Sequence, residues 1–186
     1  MNRLRAANPG TAVAVWAEDE ARLGLKPITR RVWWLTGRRP RSCGRTKYEW
    51  GYVSGFARPA TGQTSTALLP RGSVERMADA PAAFAAHADP GGKKLLVVVV
   101  DNAGWHRAKR LPVPADVRPH VLPPCTPELQ PVEPFWALVR EAVADDTFDR
   151  LADLRRVIRR RCRRPAGDPV TVKGAVGFRG AARMER

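Results

Sequence analysis

Apolar and polar positions alternate over Thr11–Ala17 (TAVAVWA), which predicts a strand ending at the acidic cluster Glu18, Asp19 and Glu20. Arg31–Leu35 (RVWWL) reads as a second short strand stopped by Thr36-Gly37. Tyr48–Phe56 reads as a third, with Tyr48, Trp50, Tyr52 and Ser54 on one face. A turn at Pro59-Ala60-Thr61-Gly62 returns the chain as a partner strand, Thr64–Leu69. The Ala-rich stretch from Ser73 to Ala88 predicts a helix capped by Ser73, with Glu75 in its first turn and a kink or split at Pro81. After the break at Pro90-Gly91-Gly92, Lys93–Val100 (KKLLVVVV) is apolar on both faces, the pattern of a buried central strand. Val117–Leu122 predicts a shorter strand leading into a Pro-rich turn, Pro123–Pro127. Two helices follow. One spans Pro131 to Ala144, with Phe135, Leu138, Val139 and Ala142 on one face; the other runs from Asp149 to about Arg163 and buries Leu151, Leu154, Ile158 and Cys162. Beyond Pro165 the pattern fades into a Gly-rich tail.

Composition narrows the class. A chain of 186 residues fits one domain, and its 44% hydrophobic content excludes a wholly disordered polycation. The longest dense apolar run, Leu95–Val100, is far short of the roughly 20 residues a membrane span needs, and no signal-type segment follows Met1. Cys43, Cys125 and Cys162 are odd in number and unpaired in spacing, so they read as reduced thiols of a cytoplasmic protein. The 33 Lys+Arg against 18 Asp+Glu leave a net charge of +15, which points to a polyanionic partner, most commonly nucleic acid. No acid lies between Glu20 and Glu49, where Arg22, Arg30, Arg31, Arg38, Arg39 and Arg41 gather. A second acid-free block, Arg155–Arg164, includes Arg155, Arg156, Arg159 and Arg160. These segments are candidate DNA-binding walls; solvated Arg faces without a ligand are the alternative.

Acids fall at the predicted element ends: Asp19 after the first strand, Asp101 after the central strand and Glu133 near a helix start. Carboxylates gathered from distant segments repel one another, and divalent cations resolve that. Mg²⁺ prefers hard oxygen ligands and accepts one or two carboxylates plus phosphate oxygens. Two such ions can activate a nucleophile and stabilise a leaving oxygen at phosphorus. Glu18 and Glu20 compete with Asp19, and Glu128 with Glu133. Asn102, Trp105 and His106 follow Asp101 closely enough to be candidates for substrate positioning.

The strings WAEDEARLGL (16–25), YEWGYVSGFARPATG (48–62), LLVVVVDNAGWHRAKRL (95–111), LPPCTPELQPVEPFWALVREAV (122–143) and RCRRPAGDPVTVKGAVGF (161–178), in this order, resemble the catalytic domain of mariner-related insertion-sequence transposases of the DDE superfamily. The resemblance spans about residues 12–178. It implies an α/β, RNase H-like mixed sheet flanked by helices, with the triad Asp19, Asp101 and Glu133; the last two lie 32 positions apart. It also implies two Mg²⁺ (or Mn²⁺) ions, cleavage of transposon ends, and transfer of a 3′-hydroxyl into double-stranded target DNA at a TA dinucleotide by at least a dimer. The expected organisation is a short lead (1–10), the catalytic domain (11–164) and a tail (165–186). The family's helix-turn-helix recognition part lies outside this chain, as if encoded separately. Two other readings remain open: a catalytically inactive DNA-binding remnant, and an RNase H-like nuclease with another substrate.

Overall fold

The computed structural model describes residues 2–28, 31–41, 44, 47–69, 79–102 and 113–182. Its centre is β4 (Lys94–Val100), where consecutive branched residues leave no polar face. A strand of this kind is stable only when covered on both sides. β1 (Ala12–Gly24) runs parallel to it on one edge and β5 (Val117–Val121) on the other. β2 (Trp50–Ala57) pairs antiparallel with β1, and β3 (Thr64–Leu69) with β2, giving the order β3-β2-β1-β4-β5. This mixed sheet is flanked by helices, as the resemblance implies. β5 carries Pro119 within its VRPHV sequence, and an outer strand is where proline, lacking a backbone donor, is tolerated.

Side-chain alternation divides the core into two layers. Val15, Ala17, Ala21, Leu23, Val97 and Val99 face one side, where they meet Trp136, Val139, Leu154, Ile158, Val172 and Val176. Ala14, Trp16, Leu96, Val98 and Val100 face the other, with Phe56 and Phe84. Phe84 comes from α2 (Asp79–Ala88), stacking on Phe56 at 4.0 Å between centroids and meeting Trp16 edge-on at 5.1 Å. A short helix, α1 (Asn2–Ala7), precedes the sheet.

Several expectations need correction. β1 does not stop at Ala17; it continues through all three acids to Gly24, because β2 pairs with it over that whole length. Arg31–Leu35 forms no strand and lies exposed, with Trp33 at 102% relative exposure. β-Propensity without a partner edge does not make a strand. The helix expected over Pro131–Ala144 shrinks to α3 (Phe135–Arg140), preceded by turns at 131–134 that hold Pro131 and Pro134. α4 (Leu151–Ala166) is longer than expected and buries Leu154, Ile158, Cys162 and Pro165 along one face. The expected tail is instead structured: α5 (Pro169–Val176) buries Val172 and Val176 completely, and α6 (Arg179–Ala182) follows. Asp168 caps α5, its carboxylate accepting from the Thr171 N–H at 3.1 Å and the Thr171 hydroxyl at 2.6 Å. The β2–β3 turn lies against the start of α5. At Gly62 (φ +79°) a Cβ would stand 1.9 Å from the Pro169 carbonyl oxygen, so only glycine permits this approach. Ser73, Glu75, Arg30, Trp105 and His106 lie outside the described residues.

Candidate active site

Strand pairing decides among the three acids of β1. Asp19 shares its face with Val15, Ala17, Ala21 and Leu23, which are buried beneath the C-terminal helices. Glu18 and Glu20 therefore face the opposite layer. There Glu18 is buried, and its carboxylate accepts a 2.8 Å hydrogen bond from the Ser54 hydroxyl. The register of β1 against β4 pairs Ala17 with Val99. Asp19 lies two residues beyond this last pair on β1, and Asp101 follows two residues beyond it, just past the end of β4.

Glu133 reaches these two from a separate segment. Leu122–Pro127 leaves β5 through a turn in which the Thr126 hydroxyl donates to the Pro123 carbonyl at 2.8 Å and Cys125 takes a left-handed backbone (φ 59°). A single 3-10 turn, Pro127–Leu129, then carries the chain to Gln130. The buried Gln130 amide donates to the Glu18 carbonyl oxygen at 2.9 Å, pinning this segment across β1. Glu133 follows in the turn before α3.

Asp19, Asp101, Asn102 and Glu133 line one cleft of about 460 Å³, together with Leu122–Pro127 and Gln130. Glu128 is not among its lining residues. All four catalytic and positioning candidates in the described residues, Asp19, Asp101, Asn102 and Glu133, thus line one cleft, although no three His, Cys, Asp or Glu side chains converge into a ready-made metal cage among the described residues. Burial beneath the C-terminal layer pushes the Asp19 carboxyl up to about 6. The Trp136 indole N–H opposes this by donating to Asp19 Oδ2 at 2.8 Å, whereas the adjacent Glu133 carboxylate reinforces it. Two carboxylates in contact, one reluctant to ionise, form a donor set that a hard divalent cation would relieve.

The basic segments lie elsewhere. Arg155, Arg156 and Arg159 line a shallow groove of about 330 Å³ on α4 with Leu151 and Ala152, and Arg160 is exposed on the same helix. Arg156 pairs with Asp153 at 3.3 Å. Arg22 is exposed on β1, its guanidinium 4.9 Å from the centre of the Trp50 ring. Arg31, Arg38, Arg39 and Arg41 are exposed in the irregular 31–41 stretch. No Lys or Arg is among the described residues lining the cleft.

Sequence reasoning missed Gln130, Trp136 and Gly55 as site residues. Trp136 offered a usable signal, since it follows Glu133 by three positions and its ring carries a donor that must be satisfied when buried.

Comparison with known proteins accords with this geometry. Residues 14–155 match the profile of the DDE superfamily endonucleases. An uncharacterized protein of Sinorhizobium fredii, y4pE/y4sA, is 35% identical over 92 residues, covering 50% of this chain and 67% of that protein. Among solved structures, the mariner Mos1 paired end complex with Mg superposes with a TM-score of 0.58 at 15% identity, over 92% of this chain and 52% of that one. A pre-cleavage Mos1 transpososome gives 0.56 at 13% identity, over 94% and 59%. The Mos1 paired end complex with Mn gives 0.55 at 16%, over 95% and 59%. The chain therefore spans a little over half the length of the transposase chains whose fold it shares. With its profile match extending over most of its length and its three acids lining one cleft, this chain belongs to the DDE superfamily endonucleases.

Proposed function

We propose that this chain is the catalytic domain of a transposase that cleaves DNA at the ends of an insertion sequence and joins the freed 3′-hydroxyl to target DNA. The observation that carries the reading is the meeting of Asp19, Asp101 and Glu133, from three separate segments, in one cleft. Asp19 and Asp101 hold the divalent cations, two Mg²⁺ or Mn²⁺, and Glu133 completes the set. When bound, these ions supply Lewis-acid activation of the attacking oxygen and charge stabilisation at the leaving oxygen. The protein's own part is placement. β1 carries Asp19, the end of β4 delivers Asp101, Gln130 ties the Glu133 segment to β1, and Asn102 stands at the cleft where a phosphodiester would lie. No side chain of the cleft needs to form a covalent bond with DNA.

The Arg155, Arg156, Arg159 and Arg160 face and the exposed Arg22, Arg31, Arg38, Arg39 and Arg41 grip duplex phosphates, supplying affinity without base readout. Trp105, His106 and Arg30 belong to the same proposal by sequence position. Recognition of the ends belongs to a separately encoded helix-turn-helix part, the active assembly is at least a dimer on paired ends, and the target is a TA dinucleotide. Metal-dependent nicking of a plasmid carrying the element's flanking DNA, with that part supplied in trans, tests the reading. Nicking by wild type and none by Asp101→Asn is the expected result. Activity surviving that substitution overturns the triad, and no cleavage by wild type in any metal favours a DNA-binding remnant. Equal cleavage of unrelated duplexes or RNA–DNA hybrids points to a nuclease of another substrate class.

A further inference from the structure

We infer that Trp136 is a positioning residue of the carboxylate centre, setting both the orientation of Asp19 and its spacing from Glu133. This rests on the metal-binding reading of the cleft. Trp136 is completely buried, yet its indole N–H is directed to a carboxylate, donating to Asp19 Oδ2 at 2.8 Å. That bond commits one oxygen and leaves Oδ1 uncommitted to the indole. The backbone N–H of the same residue donates to the Glu133 carbonyl at 3.2 Å. One residue is thus tied to the first acid by its side chain and to the third by its main chain.

The path of the ring is built into the sheet. Gly55 is the β2 residue directly opposite Asp19 in the antiparallel ladder. A Cβ there would stand 2.7 Å from Trp136 Cη2 and 3.0 Å from Cζ2, so a side chain at this position would push the indole away. Glycine is costly in a strand interior and is explained here by close approach of another group. Phe135 packs edge-on to the indole with centroids 5.4 Å apart and lies 3.5 Å from the same Cβ position, backing the ring from α3. An indole serving only as core filling would need neither the bond to Asp19 nor the bare strand beneath it.

Partners that orient a metal ligand are typically worth about 10–100-fold in metal affinity. The test is Mn²⁺ binding by electron paramagnetic resonance to the full chain, comparing wild type with Trp136→Phe, Asp19→Asn, Asp101→Asn and the Asp19→Asn/Trp136→Phe double variant. Trp136→Phe keeps an aromatic ring over Gly55 and removes only the donor and part of the ring. It is expected to weaken Mn²⁺ binding by about 10-fold or more, and to add no further loss in the Asp19→Asn background. Wild-type affinity in Trp136→Phe overturns the inference, as does an equal loss with and without Asp19. If Asp101→Asn binds Mn²⁺ as wild type does, the metal reading itself fails and the inference with it.

A second measurement covers the case in which Trp136→Phe does not fold. The chain has 6 tryptophans, so ¹⁵N-indole labelling gives a small set of N–H resonances in the otherwise unaltered protein. The resonance moved by Asp19→Asn is expected to be the one that Mg²⁺ moves in wild type. If no indole resonance responds to both, Trp136 does not report on the centre and the inference falls.

Discussion

Removing the charge of Asp19 is expected to stabilise the metal-free protein. Its carboxyl sits near 6 in the fold against 3.8 for the ordinary group, first because it is buried and then because Glu133 lies against it. A raised folded-state value means that stability is fully present below about pH 4 and is lost as pH rises through about 6. The difference of about 2 units, at roughly 1.4 kcal/mol each, bounds the loss at about 3 kcal/mol. Partial solvent access and coupling to Glu133 bring the expected figure to about 1–3 kcal/mol. Asp19→Asn keeps an acceptor for the Trp136 N–H and presents an amide donor to Glu133, so the packing is preserved while the charge conflict is removed. At pH 7.5 with chelator, the variant should melt roughly 2–12 °C above wild type, given about 2–4 °C per kcal/mol for a domain of this size. At pH 4 the two melting curves should nearly coincide. Saturating Mg²⁺ should then raise wild type and not the variant, by about 2.7 kcal/mol at a hundredfold excess over the dissociation constant. A variant less stable than wild type at pH 7.5, or a gap that does not change with pH, would refute the reasoning.

Other outcomes follow from the packing. Gly62→Ala should destabilise by about 2–5 kcal/mol in urea unfolding, combining left-handed backbone strain with the clash against Pro169; an unchanged midpoint would show that the turn does not dock on α5. Ile158→Ala, at a position 1% exposed in the C-terminal layer, should cost about 2–5 kcal/mol by the same assay. Ser54→Ala removes the hydroxyl donor to buried Glu18 and should cost about 1–3 kcal/mol, read by thermal melting at pH 7. Replacing Arg155, Arg156 and Arg159 together by Ala should lower the slope of log affinity for duplex DNA against log salt by about 2–3, with Mn²⁺ binding unchanged; an unaltered slope would remove α4 from the DNA surface.

Much of this was legible from local pattern. Lys94–Val100 could be nothing but a central strand, and Asp101 at its end needed no long-range information. Asp19 was harder to separate from Glu18 and Glu20, because a strand seemed to end where polar residues began. It continues because β2 pairs with it throughout, and Ser54 on that strand, 36 positions away, satisfies the buried Glu18. Arg31–Leu35 has the composition of a strand and finds no pairing edge. α5 was invisible for the converse reason: its two buried valines are a weak signal, and their burial depends on the β2–β3 turn and the C-terminal layer. The indole of Trp136 looks in sequence like any core aromatic. Its bond to Asp19 spans 117 positions, beyond the reach of local pattern.

The placement of Asp19 on β1 and of Asp101 just past the end of β4 sets two of the cleft's acids on the sheet and leaves the third to a separate segment. Beneath that pair, the β1–β4 ladder ends at Ala17 and Val99, where backbone hydrogen bonding holds the strand lines about 4.8 Å apart. Glu133 comes instead on a proline-punctuated segment fastened to the sheet by Gln130 and Trp136 and by the complete burial of Val132 and Phe135. Two of the acids stand on the sheet and the third on a turn packed against it. A change in the packing of Val132 or Phe135 would therefore move the third acid relative to the other two without touching a strand ladder.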